Sequence, residues 1–275
     1  MNLGFLCGKG KLPQLLAEAH KEKTCAIVHL EKEAEVCLPG VPCLRTSIGK
    51  IGTILQFLRE QSVDTIVMTG ALQRPTLSEI SFDSVGLKWS VSLSRQFFRG
   101  DDALLRGIVA LLEKEGFAVV GVQDLMATLL TPSGILSAQS PTPEEERDIA
   151  VGFNVIEKLG LMDIGQAVVI QQGLVLGVEA IEGTHALITR CAALQRTGRG
   201  AILVKGAKPQ QEMRVDLPTI GSESICALHT AGFRGVALEA RKTILLDREE
   251  VLAKSNAHGL FVVGTERSAH DDNDM

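Results

Sequence analysis

Aromatic residues are scarce in this sequence, and tyrosine is absent. The 275 residues include one tryptophan, and aromatic residues make up 4% of the chain. Single-stranded nucleic acids stack their bases on aromatic side chains, so a stacking platform is poorly supplied here. The net charge of −5 also argues against affinity gained by broad neutralisation of phosphates. We therefore expect no nucleic-acid partner.

Metal-binding cysteine pairs and long apolar runs are lacking as well. The six cysteines form no CxxC pair and the six histidines form no HxxxH pair, which argues against structural zinc. The first residues, "MNLGFLCGKGKLP", do not follow the pattern of a signal peptide. No apolar run reaches the roughly 18 residues that span a bilayer. We expect a cytoplasmic protein, with membrane contact only at the cytoplasmic face.

The first half of the chain alternates strand-like and helix-like segments. The apolar runs "NLGFLC", "TCAIVHL", "DTIVMTG" and "FAVVGV" are separated by amphipathic segments such as "DDALLRGIVALLEKEG". Such alternation predicts an α/β fold with a parallel sheet covered by helices. Right-handed crossovers then bring the loops after the strands to one rim.

The length and composition predict two domains. Residues 1–130 form the first, residues 131–145 a proline-containing linker, and residues 146–265 a mixed α/β domain in which a hairpin joins βα units. The polar segment 266–275 is predicted to be a disordered tail.

The turn "GKGKLP" follows the first predicted strand and contains Gly8 and Gly10. Glycines between a strand and a helix allow backbone to approach a phosphate, so both are candidates for substrate binding. Pro13 stands where a third glycine would complete a dinucleotide fingerprint, which argues against an oxidoreductase. A tight turn that only starts the helix is the alternative. Arg74 follows another strand at the same rim and is either a ligand contact or a solvated loop residue.

Two acidic residues, Asp101 and Asp102, begin the helix "GDDALL". Aspartates in a first helical turn commonly cap free N–H groups and complement the helix dipole. We favour this structural interpretation over a catalytic one.

The second half holds the strongest cluster of chemistry-bearing residues. In "MRVDLPTIG" we predict that Arg214 and Val215 are extended, so that Asp216 sits at a strand end before a helix that starts near Gly221. Cations beside one carboxylate suit a site that handles phosphate, because the cations hold the anion while the carboxylate binds Mg²⁺ or orients water. A surface ion pair is the alternative. The substrate-binding candidates of this half are Thr184, Lys205, Lys208, Arg214 and Thr219, and the candidate metal ligands are Asp216, Glu179 and Glu182.

These segments resemble one known family. "GFLCGKGKLP", "TGALQRP", "GDDALL", "EAIEGT", "KPQQEMRVDLPTIG" and "AGFRGVALEA" are similar, in order and spacing, to the UDP-2,3-diacylglucosamine pyrophosphatases of the LpxI type. The resemblance implies a Rossmann-like N-terminal domain and a C-terminal domain peculiar to the family, with the lipid substrate held between them. It also implies Mg²⁺-dependent hydrolysis of UDP-2,3-diacylglucosamine to UMP and 2,3-diacylglucosamine 1-phosphate (lipid X), a step of lipid A biosynthesis. Asp216 matches the aspartate that is essential for catalysis in the family.

Two positions depart from the family pattern. His185 stands where an acid is usual after "EGT", and Arg241 stands where glycine is usual after "EA". A lipid substrate also predicts peripheral contact with the inner membrane surface and an apolar bed for the acyl chains. The sequence is compatible with a homodimer and does not define the oligomeric state. A nucleotide- or sugar-nucleotide-binding regulator without catalytic activity is the alternative function.

Overall fold

The computed structural model describes residues 1–30, 36–72, 76–97 and 99–267. The chain divides into two compact units. Unit 1 comprises Met1–Ala127 together with Glu212–Asp216, and unit 2 comprises Thr128–Gln211 and Leu217–Met275. The predicted domain bounds place residues 212–216 in the second domain, whereas their contacts group them with unit 1.

Unit 1 contains a parallel sheet of five strands in the order β3-β2-β1-β4-β5. This is the order of the first five strands in doubly wound α/β sheets. Its elements are β1 (Leu3–Cys7), α1 (Leu12–Ala19), β2 (Thr24–His29), β3 (Cys43–Arg45), α2 (Ile51–Glu60), β4 (Thr65–Thr69), α3 (Ser84–Ser92), α4 (Ser94–Phe97), α5 (Asp101–Lys114), β5 (Ala118–Val120) and α6 (Val122–Leu125).

The core of unit 1 follows from the alternation of side chains along buried strands. Leu6, Val28 and Met68 face a layer formed by α2, α3 and α5, in which Leu58 and Trp89 are buried. Neighbouring residues on the strands point to the opposite face and are buried too, as the fully buried β1 and β4 show. Strands buried on both faces are typical of parallel sheets, and the predicted α/β fold class is confirmed.

Unit 2 contains a mixed sheet of six strands in the order β6-β13-β11-β9-β7-β8 and a two-stranded sheet that pairs β10 with β12. Its elements are β6 (Gly134–Ile135), α7 (Pro143–Gly160), β7 (Ala167–Gln171), β8 (Leu174–Val178), α8 (Gly183–Ala192), β9 (Ile202–Lys205), β10 (Thr219–Ile220), α9 (Ser222–Thr230), β11 (Gly235–Glu239), β12 (Ile244–Leu245), α10 (Arg248–Ala257) and β13 (Phe261–Thr265).

The predicted hairpin is the antiparallel pair β7 and β8. Helix α7 covers one face of the sheet through Ile149, Phe153 and Ile156, while α8, α9 and α10 contribute buried residues to the core on the other face. The start of helix α7 is strongly specified by its sequence. Thr142 and Glu145 form a reciprocal capping box, and Pro143 occupies the first turn.

Candidate active site

Asp216 follows a short turn and not a strand. The backbone N–H groups of Val215 and Asp216 both donate to the carbonyl oxygen of Glu212, each at 3.1 Å, and Met213–Val215 form a turn. The predicted extended conformation of Arg214 and Val215 is therefore wrong. The predicted helix start after Gly221 is confirmed, since α9 begins at Ser222.

Hydrogen bonds fasten the segment Glu212–Asp216 to helix α5 of unit 1. One carboxylate oxygen of Asp102 accepts the backbone N–H of Glu212 at 2.7 Å, and the other accepts from the guanidinium of Arg106. Val215 packs against the apolar core of the unit. Asp102 is 4% exposed, so this anchor is shielded from water. Capping alone, the interpretation favoured from sequence, misses this connection.

Arg214 is engaged by two carboxylates. Its guanidinium makes a paired contact with Glu212, with Nε–Oε1 at 2.8 Å and Nη2–Oε2 at 2.9 Å, and its Nη1 donates to Glu113 at 2.7 Å. The hydrogen bonds that Arg214 donates to Glu212, and then the one to Glu113, raise the pKa of Arg214. The hydrogen bond from Arg214 in turn lowers the pKa of Glu212 below its ordinary value of 4.5. Arg214 thus stabilises the turn that carries Asp216, and its role in substrate binding stays a prediction.

Asp216 lines an apolar pocket of unit 1 with a volume of about 680 Å³. This volume is within the range of ligand-binding pockets, roughly 300–1,000 Å³. Among the described lining residues only Asp101 and Asp216 carry charge. The apolar lining comes from the sheet and from α2 to α5 and includes Leu55, Met68, Trp89, Leu104, Leu105 and Ile108. The pocket can therefore hold a large apolar group close to two carboxylates.

The glycine turn after β1 has a structural reason of its own. A side chain at Gly8 would approach the carbonyl oxygen of Ala71 to 2.4 Å, and one at Gly70 would lie 2.8 Å from Gly8. Lys9 and Ala71 exchange backbone hydrogen bonds of 2.8 and 2.9 Å. Two loops of the rim pack backbone against backbone here, which requires residues without side chains. Substrate binding by Gly8 and by Gly10, whose φ is +105°, stays a prediction, and Arg74 lies outside the described residues.

Unit 2 brings three of the predicted residues together. Lys205, at the end of β9, donates from Nζ to the hydroxyl of Thr184 at 2.6 Å. That hydroxyl donates to Glu179 at 2.5 Å, and the second oxygen of Glu179 accepts the backbone N–H of Gln166 at 3.1 Å. Lys205 and Glu179 are both buried. Carboxylate, hydroxyl and ammonium thus form one ordered chain of hydrogen bonds beside the start of α8.

The remaining predicted residues of unit 2 have other contacts. Buried Lys208 forms an ion pair with Asp163. The carboxylate of Glu182 accepts from Arg190 at 2.9 and 3.1 Å and from the N–H of Ala180 at 3.0 Å. Hydrogen bonds from its own backbone N–H and from Arg190 lower the pKa of Glu182 despite partial desolvation. The Thr219 hydroxyl, at the start of β10, donates to a nearby carbonyl oxygen at 3.1 Å.

The two positions that depart from the family pattern are both exposed. Arg241 adopts a φ of +63°, a conformation that favours glycine. This backbone requirement explains why glycine suits the position. His185 lies in the first turn of α8 and its carbonyl oxygen accepts from Thr189 at 3.0 Å.

The predicted metal ligands belong to different units, Asp216 to unit 1 and the two glutamates to unit 2. Within residues 1–30, 36–72, 76–97 and 99–267, no group of three or more His, Cys, Asp or Glu side chains is arranged to hold a metal ion. The assignment of Glu179 and Glu182 as metal ligands stays a prediction.

Comparison with known proteins defines the class of this chain. The LpxI N-terminal domain matches residues 2–129 and the LpxI C-terminal domain matches residues 132–263. The chain belongs to the LpxI family. It is 40% identical, over 273 residues, to "UDP-2,3-diacylglucosamine pyrophosphatase LpxI" of Caulobacter vibrioides (strain ATCC 19089 / CIP 103742 / CB 15), a match that covers 96% of this chain and 97% of that protein.

A solved structure of "CobK precorrin-6A reductase" also aligns with the chain. The alignment has a TM-score of 0.34 and 10% identity and covers 100% of this chain and 91% of that one. A similarity at this level supports no conclusion about fold or function.

Proposed function

We propose that this protein hydrolyses the pyrophosphate bond of UDP-2,3-diacylglucosamine, producing UMP and 2,3-diacylglucosamine 1-phosphate for lipid A biosynthesis. The observation that carries the proposal is the 40% identity, along nearly the whole chain, to a pyrophosphatase named for this substrate. The match spans 97% of that protein and 96% of this chain, so it includes both units.

The pocket of unit 1 supports the proposal because the substrate is apolar at one end and anionic at the other. Burial of acyl chains contributes about 0.8 kcal/mol per methylene, so even partial burial of two chains dominates the affinity. A pocket of about 680 Å³ with an apolar lining supplies that environment. Asp216 lies on the same pocket, which would bring the diphosphate of a bound lipid toward this carboxylate.

In the proposed reaction a water molecule attacks the phosphorus on the lipid side. The bond between this phosphorus and the bridging oxygen breaks, and UMP leaves with that oxygen. Asp216 either orients the water and takes up its proton or serves as a metal ligand. Lys205 of unit 2, which donates to Thr184, stays a predicted substrate-binding residue.

Magnesium fits the chemistry of the donors at the pocket. Mg²⁺ prefers carboxylate oxygens, and Asp216 and Asp101 both line the pocket. When bound there, the ion would neutralise charge on the diphosphate oxygens. Addition of EDTA is expected to abolish UMP release, and addition of Mg²⁺ is expected to restore it.

The decisive experiment incubates the purified protein with UDP-2,3-diacylglucosamine and Mg²⁺ and measures UMP. The Asp216→Ala variant is expected to lose turnover while it still binds substrate, because the apolar pocket remains. In water enriched in ¹⁸O, the label is expected in lipid X and not in UMP. Normal turnover by the variant would refute the role of Asp216. Binding of UDP-sugar without any UMP release would favour a regulator over an enzyme.

The location of the acyl chains is tested with a charge placed in the pocket. Leu104 lines the pocket, whereas Ala110 is exposed on the same helix and does not line it. If Leu104→Asp displaces about four methylenes from apolar contact, substrate affinity falls by about 3 kcal/mol, or roughly 200-fold. Trp89, the single tryptophan, lines the pocket and reports binding by its fluorescence. Equal affinities of Leu104→Asp and Ala110→Asp would refute this location.

A further inference from the structure

Helix α3 presents two large apolar side chains to solvent. Leu87 is 58% exposed and Val91 is 69% exposed. Residues four apart lie on the same side of a helix, so the two form one apolar ridge. Trp89, on the same helix, is buried and lines the apolar pocket. One short helix thus contributes both to the pocket and to an exposed apolar surface.

The charge of this region is opposite to that of the protein. Residues 84–100 contain three basic residues and no Asp or Glu, although the chain as a whole has a net charge of −5. The three are Lys88, Arg95 and Arg99, and all are exposed. We call the exposed residues Leu87, Lys88, Val91, Arg95 and Arg99 the α3–α4 patch.

The nearest acidic residues in the sequence are engaged elsewhere. Asp83 caps α3, and its carboxylate accepts the N–H groups of Gly86 at 2.7 Å and Thr53 at 3.1 Å. Asp101 lines the pocket, and Asp102 is buried at the Glu212 anchor. Between these acidic residues, the exposed side chains that the structure describes are apolar, basic or serine, and none is acidic.

Exposed apolar side chains flanked by Lys and Arg are typical of segments that bind the interface of anionic membranes. We propose that the α3–α4 patch docks unit 1 on an anionic lipid bilayer, next to the pocket that receives the acyl chains. This inference rests on the proposed function, which supplies a substrate that resides in a membrane. Ser90, Ser94 and Phe97 of the same two helices, and Leu93 between them, line the pocket, so residues of the patch and of the pocket alternate along this stretch of the chain.

Vesicle sedimentation tests the proposal without substrate. The protein is expected to sediment with vesicles of phosphatidylcholine and phosphatidylglycerol in equal parts, more weakly with phosphatidylcholine alone, and less as salt is raised. Each basic residue near an anionic surface contributes about fivefold in affinity, so the double variant Lys88→Gln/Arg95→Gln should bind about 25-fold more weakly. The double variant Leu87→Asp/Val91→Asp should lose most binding.

Matched controls change the same chemistry elsewhere. Lys21→Gln/Lys23→Gln removes two exposed basic residues of unit 1, and Leu161→Asp/Met162→Asp replaces two exposed apolar residues of unit 2. Both are expected to bind vesicles like the unsubstituted protein. All four variants should hydrolyse detergent-dispersed substrate at the unchanged rate, because no substituted residue lines the pocket.

Three results would overturn the proposal. The first is failure of the unsubstituted protein to bind anionic vesicles. The second is binding of the patch variants as strong as that of the control variants. The third is loss, in Leu87→Asp/Val91→Asp, of a dimer seen by sedimentation velocity while vesicle binding persists. The last result would make the patch a contact between two copies of the chain. Vesicle binding without UMP release would refute the proposed function and leave the membrane contact standing.

Discussion

The substitution Asp102→Asn tests how the turn that carries Asp216 is held. Asp102 uses one oxygen for the backbone N–H of Glu212 and the other for Arg106. Asparagine has the same shape but only one acceptor oxygen. The variant must therefore lose the bond to Glu212 or turn its NH₂ group toward the guanidinium. Either choice leaves a donor without its partner at a site that is 4% exposed.

The magnitude follows from the anchor geometry. A hydrogen bond to a charged group contributes about 1.5–3 kcal/mol. Loss of the 2.7 Å bond between Asp102 and the N–H of Glu212 releases Glu212, whose carbonyl oxygen accepts the N–H of Asp216. A displacement of about 1 Å in a catalytic group can cost about 100-fold in rate. We expect kcat to fall between about 10-fold and 100-fold. We expect KM to stay within about threefold, because the apolar pocket that dominates binding is retained.

Two measurements separate positioning from general destabilisation. Steady-state kinetics give kcat and KM, and hydrogen exchange of peptides spanning residues 212–216 reports the turn itself. The control Glu115→Gln removes a carboxylate that pairs with Arg59 at 2.6 Å in the same unit and is expected to change neither. Unchanged exchange in the Asp102→Asn variant would refute the anchor. A rise in KM with kcat preserved would contradict the positioning of Asp216.

Two further predictions concern stability. Lys208→Met removes the ammonium that forms an ion pair with Asp163 in a largely buried site. Breaking this pair should cost on the order of 3 kcal/mol and lower Tm by roughly 6–12 °C. An unchanged Tm would show that the pair contributes little. In the middle of a helix or strand, alanine is more stable than glycine by about 0.5–1 kcal/mol. At position 241, where the φ of Arg241 is +63°, we expect Arg241→Gly to be at least as stable as Arg241→Ala in urea unfolding. A clear advantage for alanine would contradict the backbone argument.

Local sequence signals predict the regular elements well where several agree. Helix α7 is an example, because Thr142, Pro143 and Glu145 specify its start and apolar residues recur at helical spacing. The alternation of buried strands and helices likewise leads to the parallel sheet, since each strand is an almost continuous apolar run. These signals are short in range, and neighbouring residues are enough to interpret them.

The turn before Asp216 shows where such signals fail. The sequence "RVDLP" favours an extended chain, but Asp102 and Glu113 of helix α5 hold this segment across 110 and 101 positions of sequence. The sequence does not show which residues line the pocket either. Leu104 and Leu111 are both apolar residues of α5, but Leu104 lines the pocket whereas Leu111 packs against the core without lining it.

Unit 1 is assembled from two separated stretches of the polypeptide, Met1–Ala127 and Glu212–Asp216. A ribosome that makes about 5–20 residues per second therefore delivers the last piece of this unit several seconds after the rest has emerged. Until then the unit lacks Val215 in its core and has no Asp216 at its pocket. A gene fragment that stops after residue 127 would encode unit 1 with an incomplete core. No single break in the polypeptide separates unit 1 from unit 2 with both complete.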